Sequence, residues 1–444
     1  MSIKFAIMNK EILRLALPAI VTNITVPLLG LVDTAITGHL DKTAYIGAVS
    51  VGATLFNMIY WNFGFLRMGT SGQTAQAYGR KDSQECTDIL LRGLLFVAMF
   101  SVAIWIIQKP LLTLAFGLME TTPDVELYAR QYFGICIIGA PAVLGMYCFK
   151  GWFIGMQNTK YTMYVAIAIN VVNIMLSLSL VIGLGMQVKG VALGTVVSQY
   201  VGLIMCAMLW RKNYWQMLKD RASRKLLTRI KVKEFFRLNG AIFLRTLCLN
   251  AVMSFFTFAG ASQGEIILAV NVLMMQFFNL VSYFTDGFAY AGEALTGRFV
   301  GAKDIENLRK SIIQIFKWGA ALAISFTALY VLGMDRFMTI LTDDKGVTEA
   351  AKNYYKWIYI IPIAGFAAFI WDGIMVGATA IKPMVYATLA GSVAFFSTYV
   401  AFNHTHGNDA LWLSFIIYLS IRGLVQTIWY KSSKTSIKNG ETSL

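Results

Sequence analysis

Apolar residues run along this chain in stretches far longer than a soluble core requires, and charged residues collect between them. No charged side chain interrupts Tyr161–Val188 or Gly190–Trp210, and each run exceeds the roughly 20 residues that carry a helix across a bilayer core. Charged or Gly/Pro-rich breaks cut the rest of the chain into segments of similar length. The pattern predicts twelve spans, near 11–38, 44–73, 89–117, 126–152, 161–185 and 189–210, then 235–260, 264–296, 308–334, 348–377, 383–403 and 410–430. The expected fold class is an all-α polytopic membrane protein. Pro18 and Pro27 fall inside the first span, where each removes a helical hydrogen bond and makes a bend conceivable.

Composition agrees: 57% of the 444 residues are hydrophobic and 14% charged, against about 25% charged in soluble domains. The formal charge, 38 − 23 = +15, would by itself suggest nucleic acid as a partner. Its distribution argues otherwise. Lys4 and Lys10 precede span one; Arg80, Lys81 and Arg92 flank the second loop; nine Lys and Arg lie between Arg211 and Lys233. Arg298, Lys303, Arg309 and Lys310 flank the eighth loop, and Lys431, Lys434 and Lys438 lie in the tail, while intervening loops such as ETTPDVE and LTDDKG are acidic or poor in charge. This is the positive-inside pattern. It predicts a multi-pass protein of the plasma membrane with both termini cytoplasmic, in contact with lipid and not with nucleic acid. The first twenty residues show no small-residue cleavage site, so no removable signal peptide is expected. Five cysteines without CxxC spacing and three scattered histidines (His39, His404, His406) predict no disulfide framework and no metal site.

The chain also repeats itself. QAYGRKD, ending at Asp82, matches RFVGAKD, ending at Asp304, at an offset of 304 − 82 = 222. KGWFIGMQNTK (Lys150–Lys160) matches DGIMVGATAIK (Asp372–Lys382) at the same offset, and the span-one entry at Arg14 falls on Arg237 at 223. Two parallel six-helix bundles result: an N-terminal lobe over 1–210, a basic cytoplasmic linker over 211–234, a C-terminal lobe over 235–430 and a tail over 431–444. Repeated halves around a substrate path are a transporter plan. The absence of GxxxxGK[ST], HExxH and GxSxG leaves neither ATP hydrolysis nor another enzymatic activity to assign. A secondary transporter without a cofactor is the reading that follows.

Since repeats supply scaffold, polar residues lacking a repeat counterpart point to chemistry. Asp33 falls on Phe256; Asn170, Asn173 and Ser177 fall on Ser392, Phe395 and Tyr399; Thr195 falls on Ile417. Asn170, Asn173 and Ser177 share a helix face by their i, i+3, i+7 spacing. A carboxylate in a membrane span is costly unless paired, hydrated or protonated, which suits Asp33 to carry a proton. The oxygens of Asp33, Asn173 and Thr195 also suit a hard cation such as Na⁺. In the second half Asp286 and Glu293 lie seven apart on nearly one face, and an Arg245 contact with Asp286 or Asp372 is expected, because opposite charges inside a bundle usually pair. Arg67 and Glu293 read as structural, and Asp372 serves either pairing or a pocket for cationic substrates. The 21 Met and 30 Phe would suit a deformable pocket.

The segments RLALPAIVTNITVPLLGLVDTAITGHL, FLRMGTSGQTAQAYGRKD, GMQNTK and DGFAYAGEALTGRFVGAKD resemble the multidrug and toxic compound extrusion (MATE) family, and within it the DinF subfamily, over essentially the whole chain. The resemblance implies a monomeric exporter with two lobes in a V about a central cleft, expelling cationic or amphipathic compounds in exchange for H⁺ or Na⁺. The family's span-one acid falls on Asp33, its span-five asparagine on Asn173 and its span-six threonine on Thr195. A second acid that the family often carries is Ser177 here, and a span-seven glutamate of some members lies near Arg245; the span-ten acid of some members matches Asp372. The expected function is H⁺ antiport through Asp33. Na⁺ coupling and a lipid-linked precursor flippase of the same plan are the alternatives.

Overall fold

The computed structural model describes residues 2–38, 40, 42–118, 122–219 and 226–438. His39, residue 119 with the first two residues of the ETTPDVE loop, the linker residues Arg221, Arg224 and Lys225, and the end of the tail lie outside the described residues. Helices are the only regular elements among those described. The first half holds α1 (Ser2–Gly38), α2 (Thr43–Asn62), α3 (Phe65–Gly79), α4 (Ser83–Leu118), α5 (Pro123–Cys136), α6 (Ala140–Gly155), α7 (Thr159–Leu178) and α8 (Gln187–Lys219). The second holds α9 (Arg229–Ala261), α10 (Glu265–Gly301), α11 (Ile305–Leu341), α12 (Lys345–Lys352), α13 (Tyr355–Gly377), α14 (Ile381–His406) and α15 (Asn408–Lys438).

Among the described residues, twelve segments are long and apolar enough to cross a membrane, one for each span read from the sequence. Two of them are interrupted in the first half: α2 passes into α3 through Phe63 and Gly64, and α5 into α6 through a 3₁₀ turn at Ile137–Gly139. The expected span at 348–377 is two helices instead. Asp344 caps the short α12 by accepting from the N–H groups of Gly346 (2.8 Å) and Val347 (3.1 Å), and α13 starts afresh at Tyr355. α1 is one helix through both Pro18 and Pro27.

The repeat extends to single hydrogen bonds. At the end of α3 the N–H groups of Arg80, Lys81 and Asp82 donate to the carbonyls of Gln76, Tyr78 and Ala77; at the end of α10 those of Ala302, Lys303 and Asp304 donate to Arg298, Val300 and Phe299. Lys81 (φ 60°) and Lys303 (φ 59°) take the same left-handed turn, as do Gln157 (φ 62°) and Thr379 (φ 55°) after α6 and α13. Asp82 and Asp304 then cap the next helix through the N–H groups of Glu85 (2.9 Å) and Asn307 (3.0 Å). Matching glycines explain the packing: a Cβ on Gly151 would lie 2.2 Å from the Arg67 carbonyl oxygen, and one on Gly373 would lie 2.1 Å from that of Ala289. Only glycine lets α6 touch α3, and α13 touch α10, at this distance.

The described chain falls into two compact units, 21–236 and 1–20 with 237–444. The division differs from the boundaries expected from the spans, since the first turns of α1 pack with the second half. Ile12 and Leu15 are buried, and a Cβ on Gly287 would meet Ile20 Cγ1 at 2.3 Å. Arg298 pairs with Glu11 at 2.7 Å, and the Trp318 indole N–H donates to Asn9 Oδ1 at 3.2 Å. The start of α9 joins the first half in the same manner: Lys231 pairs with Glu85 at 3.1 Å, and Phe235 stacks on Phe96 with centroids 3.9 Å apart. Phe96 and Trp318 are repeat equivalents, 318 − 96 = 222.

Candidate functional site: a buried acid in the first half

Three helices bring together residues that lie far apart in sequence. Asp33 is on α1, Asn173 and Ser177 are one turn apart on α7, and Thr195 is on α8. α7 and α8 come close because Gly194 has no side chain: a Cβ there would lie 2.4 Å from Ser177 Oγ and 3.0 Å from the Ser177 backbone nitrogen. Thr195, the next residue, is thereby held over Asn173. The Asn173 amide donates to Thr195 Oγ1 at 3.1 Å, and the Thr195 hydroxyl donates to Asp33 Oδ2 at 3.3 Å. Thr37 donates to the Asp33 carbonyl at 2.9 Å, holding that turn of α1.

All four side chains are buried. Their remaining oxygens, Asp33 Oδ1, Asn173 Oδ1 and Ser177 Oγ, have no hydrogen-bond partner among the described residues. No Lys or Arg pairs with Asp33 there, so a single neutral hydroxyl answers the carboxylate. Such an acid is favoured when it holds a proton or when a cation shares it.

The expected residues do not all meet. Asn170 turns away from the acid and donates to the carbonyls of Thr25 and Ala166, both at 3.1 Å, tying α7 to α1 a few turns before Asp33. Two residues of α5 belong to the site and carried no signal in the sequence reading. Tyr132 lies beside Thr195 and Cys136, and both Tyr132 and Cys136 lie within electrostatic reach of Asp33. An unexceptional tyrosine in a span with other aromatics offers no pattern by which to single it out.

In the second half two of the equivalent positions are core. Phe256 and Phe395 are buried, and Phe255 packs edge-on against Phe395 (5.9 Å) and Tyr399 (5.2 Å). The charges of this half gather elsewhere, around Asp372 on α13. Arg245 pairs with Asp372 Oδ2, the contact expected from the sequence. Arg422 of α15 reaches the same oxygen at 2.6 Å, and the Gln426 amide donates to Oδ1 at 2.9 Å. Asp286 lies within electrostatic reach of Arg422, and Glu293 is buried on α10. Arg422 and Gln426 were not singled out in the sequence, because an arginine close to the end of the last span reads as one more positive-inside charge.

Comparison with known proteins agrees with this architecture. The MatE family model matches residues 18–179 and again 241–398, starts that are 241 − 18 = 223 apart. DNA damage-inducible protein F of Escherichia coli (strain K12) is 35% identical, the match covering 95% of this chain and 92% of that protein. A probable multidrug resistance protein NorM of Photorhabdus laumondii is 24% identical, with 86% of this chain and 84% of the relative covered. Among solved structures, a crystal structure of MATE in the bent conformation superposes with a TM-score of 0.87 at 19% identity, covering 98% and 97% of the two chains.

Proposed function

This chain belongs to the MATE family, whose members are membrane transporters and not enzymes, and on that premise we propose that it is a secondary active exporter driven by protons through Asp33. Amphipathic or cationic small molecules are the proposed cargo, moved out across the plasma membrane, with both chain termini on the cytoplasmic side. The observation that carries the reading is the solvation of Asp33: among the described residues, one hydroxyl on Oδ2 and no partner on Oδ1.

In this reading a proton entering from outside settles on the Asp33 carboxyl. The acid then becomes a donor, and Thr195, held by Asn173, turns from donor to acceptor. That exchange reverses the Thr195–Asp33 bond while the Asn173 amide goes on donating to Thr195, and gives α1, α7 and α8 two alternative arrangements. Substrate leaves in one and the proton leaves, on the cytoplasmic side, in the other. Na⁺ coupling is the second reading. It is favoured by the three buried oxygens without partners, on Asp33, Asn173 and Ser177, since oxygen donors are what hard cations require.

The test is efflux of a fluorescent cationic dye from proteoliposomes under separately imposed pH and Na⁺ gradients. Proton antiport requires flux with the pH gradient alone and its loss in Asp33→Asn, with the variant folded and inserted. Flux driven by Na⁺ alone would replace the proton with a metal ion at the same oxygens. Undiminished pH-driven flux in Asp33→Asn would remove Asp33 from the mechanism.

A further inference from the structure

We infer that the second half holds a recognition site for the acidic group of an amphipathic ligand, a carboxylate, sulfonate or phosphate, formed by Arg245, Arg422 and Tyr418 around Asp372. Two guanidinium groups share one oxygen of a single carboxylate there. Each guanidinium has a further donor, and in both arginines the Nε group is buried without an acceptor among the described residues. The Tyr418 hydroxyl is also buried and without a partner. It lies within electrostatic reach of both arginines and of Asp372, and Arg422 stands over its ring at 5.2 Å.

Tyr418, Arg422 and Gln426 recur every four residues and so share one face of α15. The cluster therefore has three unanswered donors against one unanswered acceptor, Gln426 Oε1. Asp286 is the other acid within reach of Arg422, so unfilled donors, more than net charge, set the site apart. Buried donors without acceptors are costly, and an oxyanion supplies several acceptors in the geometry that an arginine fork prefers. Arg245 and Asp372 are buried but not sealed, each keeping 7% of its surface exposed. The repeat equivalents in the first half are Thr22, Lys150 and Tyr200, so this grouping is particular to the second half.

The inference assigns a substrate class to the proposed exporter, and rests on that reading for transport but not for binding. The experiment titrates the full chain, in phosphatidylcholine nanodiscs, with fluorescein and with rhodamine 123, an anionic and a cationic dye on similar ring systems. Fluorescence anisotropy should show fluorescein bound. Tyr418→Phe should weaken it about tenfold, and so should Arg245→Gln combined with Asp372→Asn, which removes one charge of each sign and keeps the net charge, with folding checked by melting. Rhodamine 123 should change less than twofold in both. Asp372→Asn alone, which releases both guanidiniums, should tighten fluorescein. No fluorescein binding to the wild type, or equal binding by the variants, would overturn the site. Competition by phosphatidylglycerol in the disc would assign the site to a lipid headgroup, and competition by inorganic phosphate to a soluble anion; competition by neither would mean the dye binds through its rings, and the site falls. If pH-driven rhodamine efflux fails while this fluorescein pattern holds, the export reading fails and the anion site stands.

Discussion

Gly194→Ala tests the coupling site by geometry, with no charge altered. The new Cβ would stand 2.4 Å from Ser177 Oγ, 3.0 Å from its backbone nitrogen and 3.2 Å from its Cα, where ordinary contact begins near 3.4 Å. Rotating the Ser177 side chain relieves the first clash only. The backbone contact still demands 3.4 − 3.0 = 0.4 Å of separation between α7 and α8. Thr195 is the next residue on α8, and the bond that crosses to α7, from the Asn173 amide, is 3.1 Å long, leaving 3.5 − 3.1 = 0.4 Å before it passes the 3.5 Å limit for a hydrogen bond. The helix shift therefore uses up all that the bond can absorb and frees Thr195 from its hold. Overpacking of this kind costs roughly 1–3 kcal/mol, and the lost hydrogen bond adds only about 0.6 kcal/mol in a membrane, so the variant should still fold with a lowered melting temperature. Transport should suffer more: pH-driven dye efflux in proteoliposomes should fall about tenfold, the equivalent of ~1.4 kcal/mol in the rate. Combining it with Ser177→Ala removes the Oγ clash but leaves the backbone contact, so it should recover stability only in part and transport not at all. Wild-type efflux from Gly194→Ala would refute the idea that Thr195 must be held on Asp33.

Other positions yield separate tests. Gly373→Ala places a Cβ 2.1 Å from the Ala289 backbone oxygen and should destabilise by about 3 kcal/mol in detergent melting, whereas Gly292→Ala, whose closest contact is 3.4 Å, should melt close to wild type. Ser177→Asp adds a second buried acid one turn after Asn173 and should bring Na⁺ stimulation or a steeper pH dependence of efflux; unchanged transport would make position 177 packing only. Asp304 accepts from the Asn307 N–H and from its side-chain amide, which hold its carboxyl below the usual carboxylate range. A depressed folded value stabilises above the unfolded pKa of about 3.9, and the contribution fades as pH falls through the folded value. Asp304→Ala should thus cost about 1 kcal/mol near neutral pH. Asp304→Asn should keep most of the cap and lose that acid sensitivity, as followed by melting between pH 3 and 7.

The spans and the repeat were legible because they are one-dimensional: hydropathy marks a helix, and a fixed offset marks a duplication. The Asp33 site was legible for a related reason. Its residues are polar where their repeat partners, Phe256, Phe395 and Ile417, are apolar, so the asymmetry itself pointed to them. What escaped depended on helix rotation. Asn170 and Asn173 look alike by spacing, yet only Asn173 points at Thr195, while Asn170 is taken up by carbonyls. Tyr132 and Arg422 are ordinary by type and become significant only by what they face. The break between α12 and α13 rests on the Asp344 cap, which a hydropathy reading treats as one more acidic loop residue. Pro18 lies two residues before the point where α1 divides between the two units, yet α1 is one helix through it, so the sequence shows no sign that its packing partner changes there.

That division sets a timetable for biosynthesis. Ala16 and Ile20 meet Gly287, and 287 − 16 = 271 residues must be made between one partner and the other. At roughly 5–20 residues per second the start of α1 waits between about 14 and 54 s for its packing surface, with its small-residue face uncovered meanwhile. Either the insertion machinery or a provisional contact must shelter it over that interval. The same helix makes the second half depend on the chain's first twenty residues, so a gene fragment beginning at residue 237 would encode a bundle lacking one of its own walls, and only a fragment carrying residues 1–20 as well should yield a stable product.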